Sequence, residues 1–173
     1  MKLSVNQLIT HGIYLLAYMA LQLLVFYDTA VYGLAFCMVY VGFLLTLPLN
    51  MHHLVLMVVG LVYGLLMDSF YDTPGIHAAA CVLVCYLRPF HLRLITPRGG
   101  YEGMSEITIN DFGIQWFIMY LLPLVFAHHW FVFILQLWGS KQFTGLLCAI
   151  LSTLFTSVVL ILLQYLFRQV RRN

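Results

Sequence analysis

The sequence has 173 residues, which suits a single domain, and 63% of them are hydrophobic while only 8% are charged. An average soluble domain carries about 25% charged residues, so this chain has too few polar side chains to cover a soluble globule. Its net charge of +2 is also too small to indicate a nucleic-acid-binding protein. The composition predicts an all-α integral membrane protein.

Six apolar segments are long enough to cross the membrane, because a helix of about 20 residues spans the ~30 Å of hydrocarbon. We place these spans at 8–26, 30–47, 53–70, 74–95, 112–137 and 143–167, within one transmembrane domain of residues 1–173. Four residues interrupt a long uncharged run and separate the second span from the third: Pro48, Asn50, His52 and His53. Residues 96–111 contain proline and several glycines, and we expect them to form an irregular loop.

The basic residues predict the orientation of these spans. Six spans place both termini on one side of the membrane, together with the loop 96–111. Seven of the eight basic residues then lie on that side, and only Lys141 lies opposite: the seven are Lys2, Arg88, Arg93, Arg98, Arg168, Arg171 and Arg172. By the positive-inside rule this side is the cytoplasm.

One stripe on the third span combines small and acidic residues. Gly60, Gly64 and Asp68 recur every four residues, so they share a helix face. Glycines allow another helix to approach closely, and we predict that a partner's helix packs against Gly60 and Gly64. Asp68 lies at the outer boundary, where His77 can meet it across the following turn. The two side chains either line a polar pocket or form a structural hydrogen bond, and Asp68 alone could simply be a solvated helix end.

Arg88 lies fourteen residues after Pro74, which corresponds to about 21 Å along a helix and places it near the cytoplasmic face. Two interpretations remain open. Arg88 anchors the helix by extending its guanidinium to the headgroups, or it forms a docking surface with Arg93 and Arg98 for a cytoplasmic protein.

No pattern in the sequence supplies a catalytic, cofactor or metal site. His128 and His129 are adjacent, so their side chains point about 100° apart on a helix and do not readily share a metal ion. The four cysteines lie inside apolar runs and are predicted to be small buried residues: Cys37, Cys81, Cys85 and Cys148. We therefore predict that the protein is not an enzyme and carries no cofactor.

Several motifs together point to a family. They are residues 64–70 (GLLMDSF), 75–80 (GIHAAA), 86–89 (YLRP) and 96–102 (TPRGGYE), followed by Trp116, Phe117, Tyr120, His128 and His129. This central block resembles the rod shape-determining MreD family, and the resemblance extends from about Gly60 to Arg168. The chain departs from it at Gln136, where similar sequences would have a glutamate.

The resemblance implies a scaffold protein in the bacterial inner membrane that takes part in cell elongation. It implies binding to the bitopic protein MreC, and a link between the MreB filament and the peptidoglycan polymerase RodA with its penicillin-binding transpeptidase. It also implies a six-helix bundle similar to the substrate-binding components of energy-coupling-factor transporters.

Two other functions remain open. The protein could be a transport component that binds a small molecule in an outward pocket near Asp68 and His77. Members of the transporter family that couple to the energising module resemble one another in an Ala-x-x-x-Ala pattern on the first helix. The first span here carries Ala17 and Ala20, which are three residues apart, so that pattern is missing. Alternatively, the fold keeps a pocket for lipid.

Overall fold

The computed structural model describes residues 5–27, 29–101, 104, 106–139 and 141–170. In chain order its elements are α1 (Val5–Leu24), β1 (Ala30–Val31), β2 (Ala35–Phe36), α2 (Val41–Thr46), α3 (His53–Tyr71), α4 (Ile76–Leu94), α5 (Ile109–Gln136) and α6 (Gln142–Val170). Three basic residues used above for the orientation, Lys2, Arg171 and Arg172, lie outside the described residues.

Four helices are long and apolar enough to cross a membrane: Gln7–Leu24, His53–Tyr71, Ile109–Gln136 and Gln142–Leu166. They coincide with the first, third, fifth and sixth predicted spans. Their length matches the hydrocarbon thickness of a bilayer, and their composition makes that environment favourable. The chain is therefore a mostly helical membrane protein, as its composition predicts.

Helix α4 is as long as α3, with 19 residues, but it is not among these four because it carries histidine and arginine side chains. It begins at Ile76, two residues later than predicted, and it continues through Pro89 to Leu94. Gly75 precedes the helix with a positive φ of 88°, a conformation that glycine adopts without steric cost.

The second predicted span, 30–47, is wrong as a continuous helix. Its first part is a short antiparallel hairpin in which Ala30 pairs with Phe36. Tyr32 and Gly33 have φ values of 53° and 68°, and two central residues with positive φ are typical of the tight turn that joins such strands. Residues 37–40 are irregular, and α2 adds only six helical residues.

Residues 37–45 are all buried, and they form the centre of the core. Irregular backbone cannot face lipid, because its peptide groups would lack hydrogen-bond partners, so it occurs at membrane depth only where protein covers it. Helices supply that cover here. The central segment 37–47 packs against α1, α4 and α5, and β2 packs against α6.

The long helices form two neighbouring pairs around this segment. Helix α3 packs against α4, α5 packs against α6, and α4 packs against α5. Helix α1 packs on α2, and only 11% of its span Gln7–Leu24 is buried. The bundle thus leaves one face of α1 largely uncovered by the described part of the chain.

Candidate functional site

Asp68 serves as the cap of helix α4. Its carboxylate accepts hydrogen bonds from the Thr73 hydroxyl at 2.5 Å and from the backbone N–H groups of His77 and Ala78, each at 2.9 Å. A helix N-terminus carries unpaired N–H groups and a partial positive charge, so it stabilises a carboxylate there. Asp68 therefore meets His77 through the main chain, and the imidazole itself bonds elsewhere.

Gly60 and Gly64 face α4 of the same chain. A Cβ atom on Gly60 would lie 2.7 Å from Sγ of Cys85, and one on Gly64 would lie 2.8 Å from the backbone oxygen of His77 and from the backbone nitrogen of Ala78. Close approach of a helix is thus observed, but the neighbouring helix is intramolecular. The prediction that a partner's helix packs against these glycines is wrong, because α4 already covers them.

The imidazole of His77 belongs to a buried polar cluster. The Tyr40 hydroxyl lies 2.6 Å from Nδ1 of His77 and 2.9 Å from Nε2 of His128. All three side chains are at most 1% exposed. The cluster joins α4 and α5 to the irregular segment before α2, so it brings together two histidines that the sequence separates by 51 positions.

Gln22 of α1 bonds to the backbone of the same segment. Its side-chain amide donates to the carbonyl of Cys37 at 3.0 Å and accepts from the N–H of Tyr40 at 3.2 Å. The same amide nitrogen lies 2.6 Å from the Tyr71 hydroxyl. A side chain that is 1% exposed thereby replaces two of the hydrogen bonds that a helix would have supplied.

Ser152 and Thr156 of α6 bond to the segment from the other side. The N–H of Phe36 donates to the Ser152 hydroxyl at 2.9 Å, and that of Met38 donates to the Thr156 hydroxyl at 3.0 Å. His129 supports this arrangement, since its Nδ1 donates to the carbonyl of Val125 and its Nε2 lies 3.2 Å from the Thr156 hydroxyl. His128 and His129 thus serve different clusters.

Arg88 binds the other end of the central segment. Its Nε donates to the Tyr120 hydroxyl at 2.7 Å, and one Nη donates to the carbonyls of Leu47 at 2.5 Å and Leu45 at 3.4 Å. The carbonyl end of α2 carries a partial negative charge, which a cation stabilises. Arg88 is 2% exposed, so the predictions that it anchors at the headgroups or docks a protein are wrong.

Arg93 and Arg98 remain exposed. The Arg93 guanidinium lies 5.9 Å from the centre of the Phe90 ring, a cation–π distance. The loop beside them is held to the bundle by the Tyr101 hydroxyl, which donates to the carbonyl of Leu92 at 2.8 Å. Partial burial raises the pKa of the Tyr101 phenol. The basic patch, Arg93 and Arg98, keeps the surface that the docking hypothesis needs.

A groove of about 500 Å³ lies at the turn between α3 and α4. Its lining residues are Leu65, Asp68, Ser69, Asp72, Thr73, Pro74 and Gly75. The position agrees with the predicted outward pocket near Asp68, but His77 does not line it. Asp68 lines the groove, and its carboxylate already accepts three hydrogen bonds.

Within the described ranges, no group of three or more histidine, cysteine or acidic side chains could hold a metal ion. The four cysteines are free and buried, as their apolar surroundings predict. Cys85 approaches α3 where Gly60 makes room. Cys81, Cys85 and Cys148 lie in α4 and α6, and Cys37 lies in the central segment.

The residues that support the central segment are not among the predicted site residues. Gln22, Ser152 and Thr156 are polar residues inside apolar runs, and Tyr120 was noticed only through the family resemblance. Uncharged polar side chains in a membrane span usually face protein, so their presence was a signal. The partner of each side chain was not predictable, because Ser152 meets a backbone group 116 residues away.

The fold and these clusters describe a helical membrane protein whose buried polar side chains support an irregular central segment. Comparison of the chain with protein-family models finds no match, and comparisons with curated proteins and with solved structures find none either.

Proposed function

We propose that this protein is a non-enzymatic assembly protein of the membrane, which acts by presenting helix and loop surfaces to other proteins. One observation carries the proposal. The buried carboxylate and the buried guanidinium of the described residues are committed to the fold, since Asp68 caps α4 and Arg88 caps α2. The outer face of α1 and the basic patch, Arg93 and Arg98, remain exposed.

The resemblance to MreD supplies the particular setting. In this proposal the protein sits in the bacterial inner membrane, binds the bitopic protein MreC, and connects MreB with RodA and its penicillin-binding transpeptidase. The support is the set of motifs between Gly64 and Glu102. Lipid surrounds the remaining helix faces, because the four spanning helices carry many exposed apolar side chains.

The proposed topology has six crossings with both termini in the cytoplasm. Helix α4 supplies one of the two crossings beyond the four apolar helices, since 19 residues extend about 28 Å. The hairpin and the central segment together supply the other. The central segment meets α1 near Gln22 through Cys37 and near His11 through Thr46, whose carbonyl lies 3.3 Å from the His11 ring. The segment therefore runs beside α1 for about 16 Å.

The partner's membrane helix is proposed to pack on α1. Gly12 is exposed there, and a Cβ atom on it would meet no atom of the chain within 4 Å. Leu16 and Ala20 lie on the same face at four-residue spacing and are exposed as well. Small residues let helix backbones approach closely in lipid, where apolar burial alone gives no preference for protein over lipid.

A pull-down from native membranes tests this assignment. We expect Gly12→Leu to reduce recovery of the bitopic partner at least tenfold, because the larger side chain holds the partner's helix away while the fold has room for it. Val58→Leu is the matched control, since Val58 is 57% exposed on α3. Equal recovery for both variants, with both proteins inserted, would exclude the α1 face.

The basic patch is tested in the same assay. We expect the double change Arg93→Glu and Arg98→Glu to release a cytoplasmic partner while the bitopic partner stays bound, because reversed charges repel an acidic docking surface. Loss of both partners together would instead indicate a damaged fold. Retention of both would remove the patch from the proposal.

The groove near Asp68 favours a second candidate, a component of a transporter that binds a small molecule. Its volume of about 500 Å³ is within the range of ligand pockets. Native mass spectrometry after gentle extraction separates the two candidates. A small molecule bound at one per chain, and lost on Ser69→Trp at the groove, would favour transport over assembly.

A further inference from the structure

The Tyr40 hydroxyl lies between two imidazoles, at 2.6 Å from Nδ1 of His77 and 2.9 Å from Nε2 of His128. A hydroxyl has one proton to donate, and it accepts through its oxygen. Tyr40 therefore donates to one imidazole and accepts from the other. The direction of this one proton determines which nitrogen of each ring carries hydrogen.

In each direction, the two neutral rings carry hydrogen on the same nitrogen as one another, and this nitrogen differs between the two directions. If Tyr40 donates to His77, Nδ1 of His77 is bare and its Nε2 carries hydrogen, while His128 donates through its Nε2–H. If Tyr40 donates to His128, both rings instead carry hydrogen on Nδ1. Neutral rings are favoured because all three side chains are at most 1% exposed, and an isolated buried charge is costly.

The outer nitrogen of each ring is buried without a hydrogen-bond partner among the described residues: Nε2 of His77 and Nδ1 of His128. In either direction one of these atoms is a donor and the other an acceptor. Buried polar atoms without partners are rare in proteins, and ordered water commonly satisfies them. A water molecule suits both atoms, because it donates and accepts equally well.

We propose that His77, Tyr40 and His128 form a proton relay whose two ends bind water. A proton delivered by water binds Nδ1 of His128, and the Nε2 proton of that ring passes to the Tyr40 oxygen. The Tyr40 hydroxyl proton passes to Nδ1 of His77, and the Nε2 proton of His77 leaves to the water at that end. One proton enters and one leaves, so the three groups are neutral before and after.

The surroundings contain several other titratable groups. On α3, Tyr63 and Tyr71 lie near the cluster, with ring centres 6.0 Å from Tyr40 and 5.0 Å from His77 respectively, and Asp68 binds the backbone N–H of His77. Cys81 follows on α4 and His129 on α5. The Tyr40 hydroxyl bonds to both imidazoles, and the outer nitrogens of the two rings have no partner among the described residues, so the three groups form a defined unit.

Nuclear magnetic resonance of protein labelled with ¹⁵N-histidine in lipid nanodiscs tests the relay, after the signals are assigned with single His→Asn variants. We expect both rings to populate the two tautomers and to show the same ratio between them. We also expect both rings to exchange between the tautomers at one common rate. We also expect magnetisation transfer between water and the outer nitrogens' protons. Different tautomers in the two rings, a doubly protonated ring, or no contact with water would each overturn the relay.

Tyr40→Phe removes the central hydroxyl, and Tyr63→Phe is the matched control because the Tyr63 hydroxyl is buried without a partner among the described residues. We expect the common exchange rate to split into two rates in Tyr40→Phe and to persist in Tyr63→Phe. A wild-type pair frozen in one shared tautomer would be a structural clamp and would also contradict the relay. The wild-type measurement decides this even if Tyr40→Phe fails to fold, and it does not depend on the assembly role.

Discussion

Replacing Asp68 by alanine should destabilise the fold through the start of α4. The carboxylate accepts three hydrogen bonds, two of which come from the buried backbone N–H groups of His77 and Ala78. Alanine accepts none, and no other acceptor bonds to these two N–H groups among the described residues. Asp68→Ala therefore leaves two donors unpaired where they had been paired with a charged group.

The size of the effect follows from the number and burial of those donors. Each buried polar group left unpaired costs about 1–3 kcal/mol, so two of them cost about 2–6 kcal/mol. The groove beside Asp68 admits water, which can replace part of the loss, and the Thr73 hydroxyl can turn toward solvent. We therefore expect the free energy of unfolding to fall by about 2–4 kcal/mol.

Unfolding by SDS in mixed micelles measures this change, with Ser69→Ala as the control. Ser69 is the next residue on α3, and among the described residues its hydroxyl bonds to the carbonyl of Leu65 in its own helix alone, so its loss should change stability by less than about 0.5 kcal/mol. Asp68→Asn keeps one acceptor oxygen and should lie between the two. If Asp68→Ala is as stable as Ser69→Ala, the capping role is refuted, and a ligand-binding role for Asp68 becomes the better explanation.

Three further predictions concern single residues. Gly64→Ala should lower the free energy of unfolding by about 1–3 kcal/mol, because its Cβ atom would overlap the backbone of α4, whereas Gly12→Ala should not destabilise the protein; equal stabilities would contradict the packing. Arg88→Lys should lower it by about 1–3 kcal/mol, because an ammonium group cannot reproduce the forked donors, while Arg93→Lys should change it by less than about 0.5 kcal/mol. Arg98→Cys should react with a membrane-impermeant maleimide only after cells are opened, and labelling of intact cells would reverse the proposed orientation.

The four helices that are long and apolar enough to cross a membrane were predictable from the sequence. The bilayer requires about 20 consecutive, mostly apolar residues for a helical span, and such a run can be seen in the sequence directly. An apolar run such as 53–70 satisfies that requirement alone, and α3 begins at His53 as predicted. The run 30–47 satisfies it equally well by composition, yet it is a hairpin followed by an irregular segment. What distinguishes this run is that side chains on other helices form hydrogen bonds with its backbone. A hydropathy profile carries no information about such contacts.

The candidate site shows the same limit at the level of single side chains. Sequence spacing placed Asp68 near His77, since a short turn joins their helices, but the predicted pairing of the two side chains is wrong. It could not predict that Asp68 binds the His77 backbone while the His77 ring meets Tyr40, because that contact depends on where the irregular segment enters the bundle. The position predicted for Arg88, near a membrane boundary, is wrong for the same reason. Sequence spacing could not show that α2 ends in the interior beside Arg88.

The polar side chains and the irregular segment explain each other. A continuous helix at 37–47 would satisfy its own peptide groups, and Gln22, Thr156 and Arg88 would then lose their hydrogen bonds to those groups, each at a cost of about 1–3 kcal/mol. In the observed backbone, some peptide groups of the segment make no helical hydrogen bond, and these groups lie next to the three side chains. Substituting one side chain therefore leaves a peptide group of the segment unpaired, and restoring the helix removes the bonds that the remaining side chains make to the segment. Neither change is favourable alone, so the central segment and its supporting side chains are stable as a unit. This unit holds the Tyr40 hydroxyl between His77 and His128.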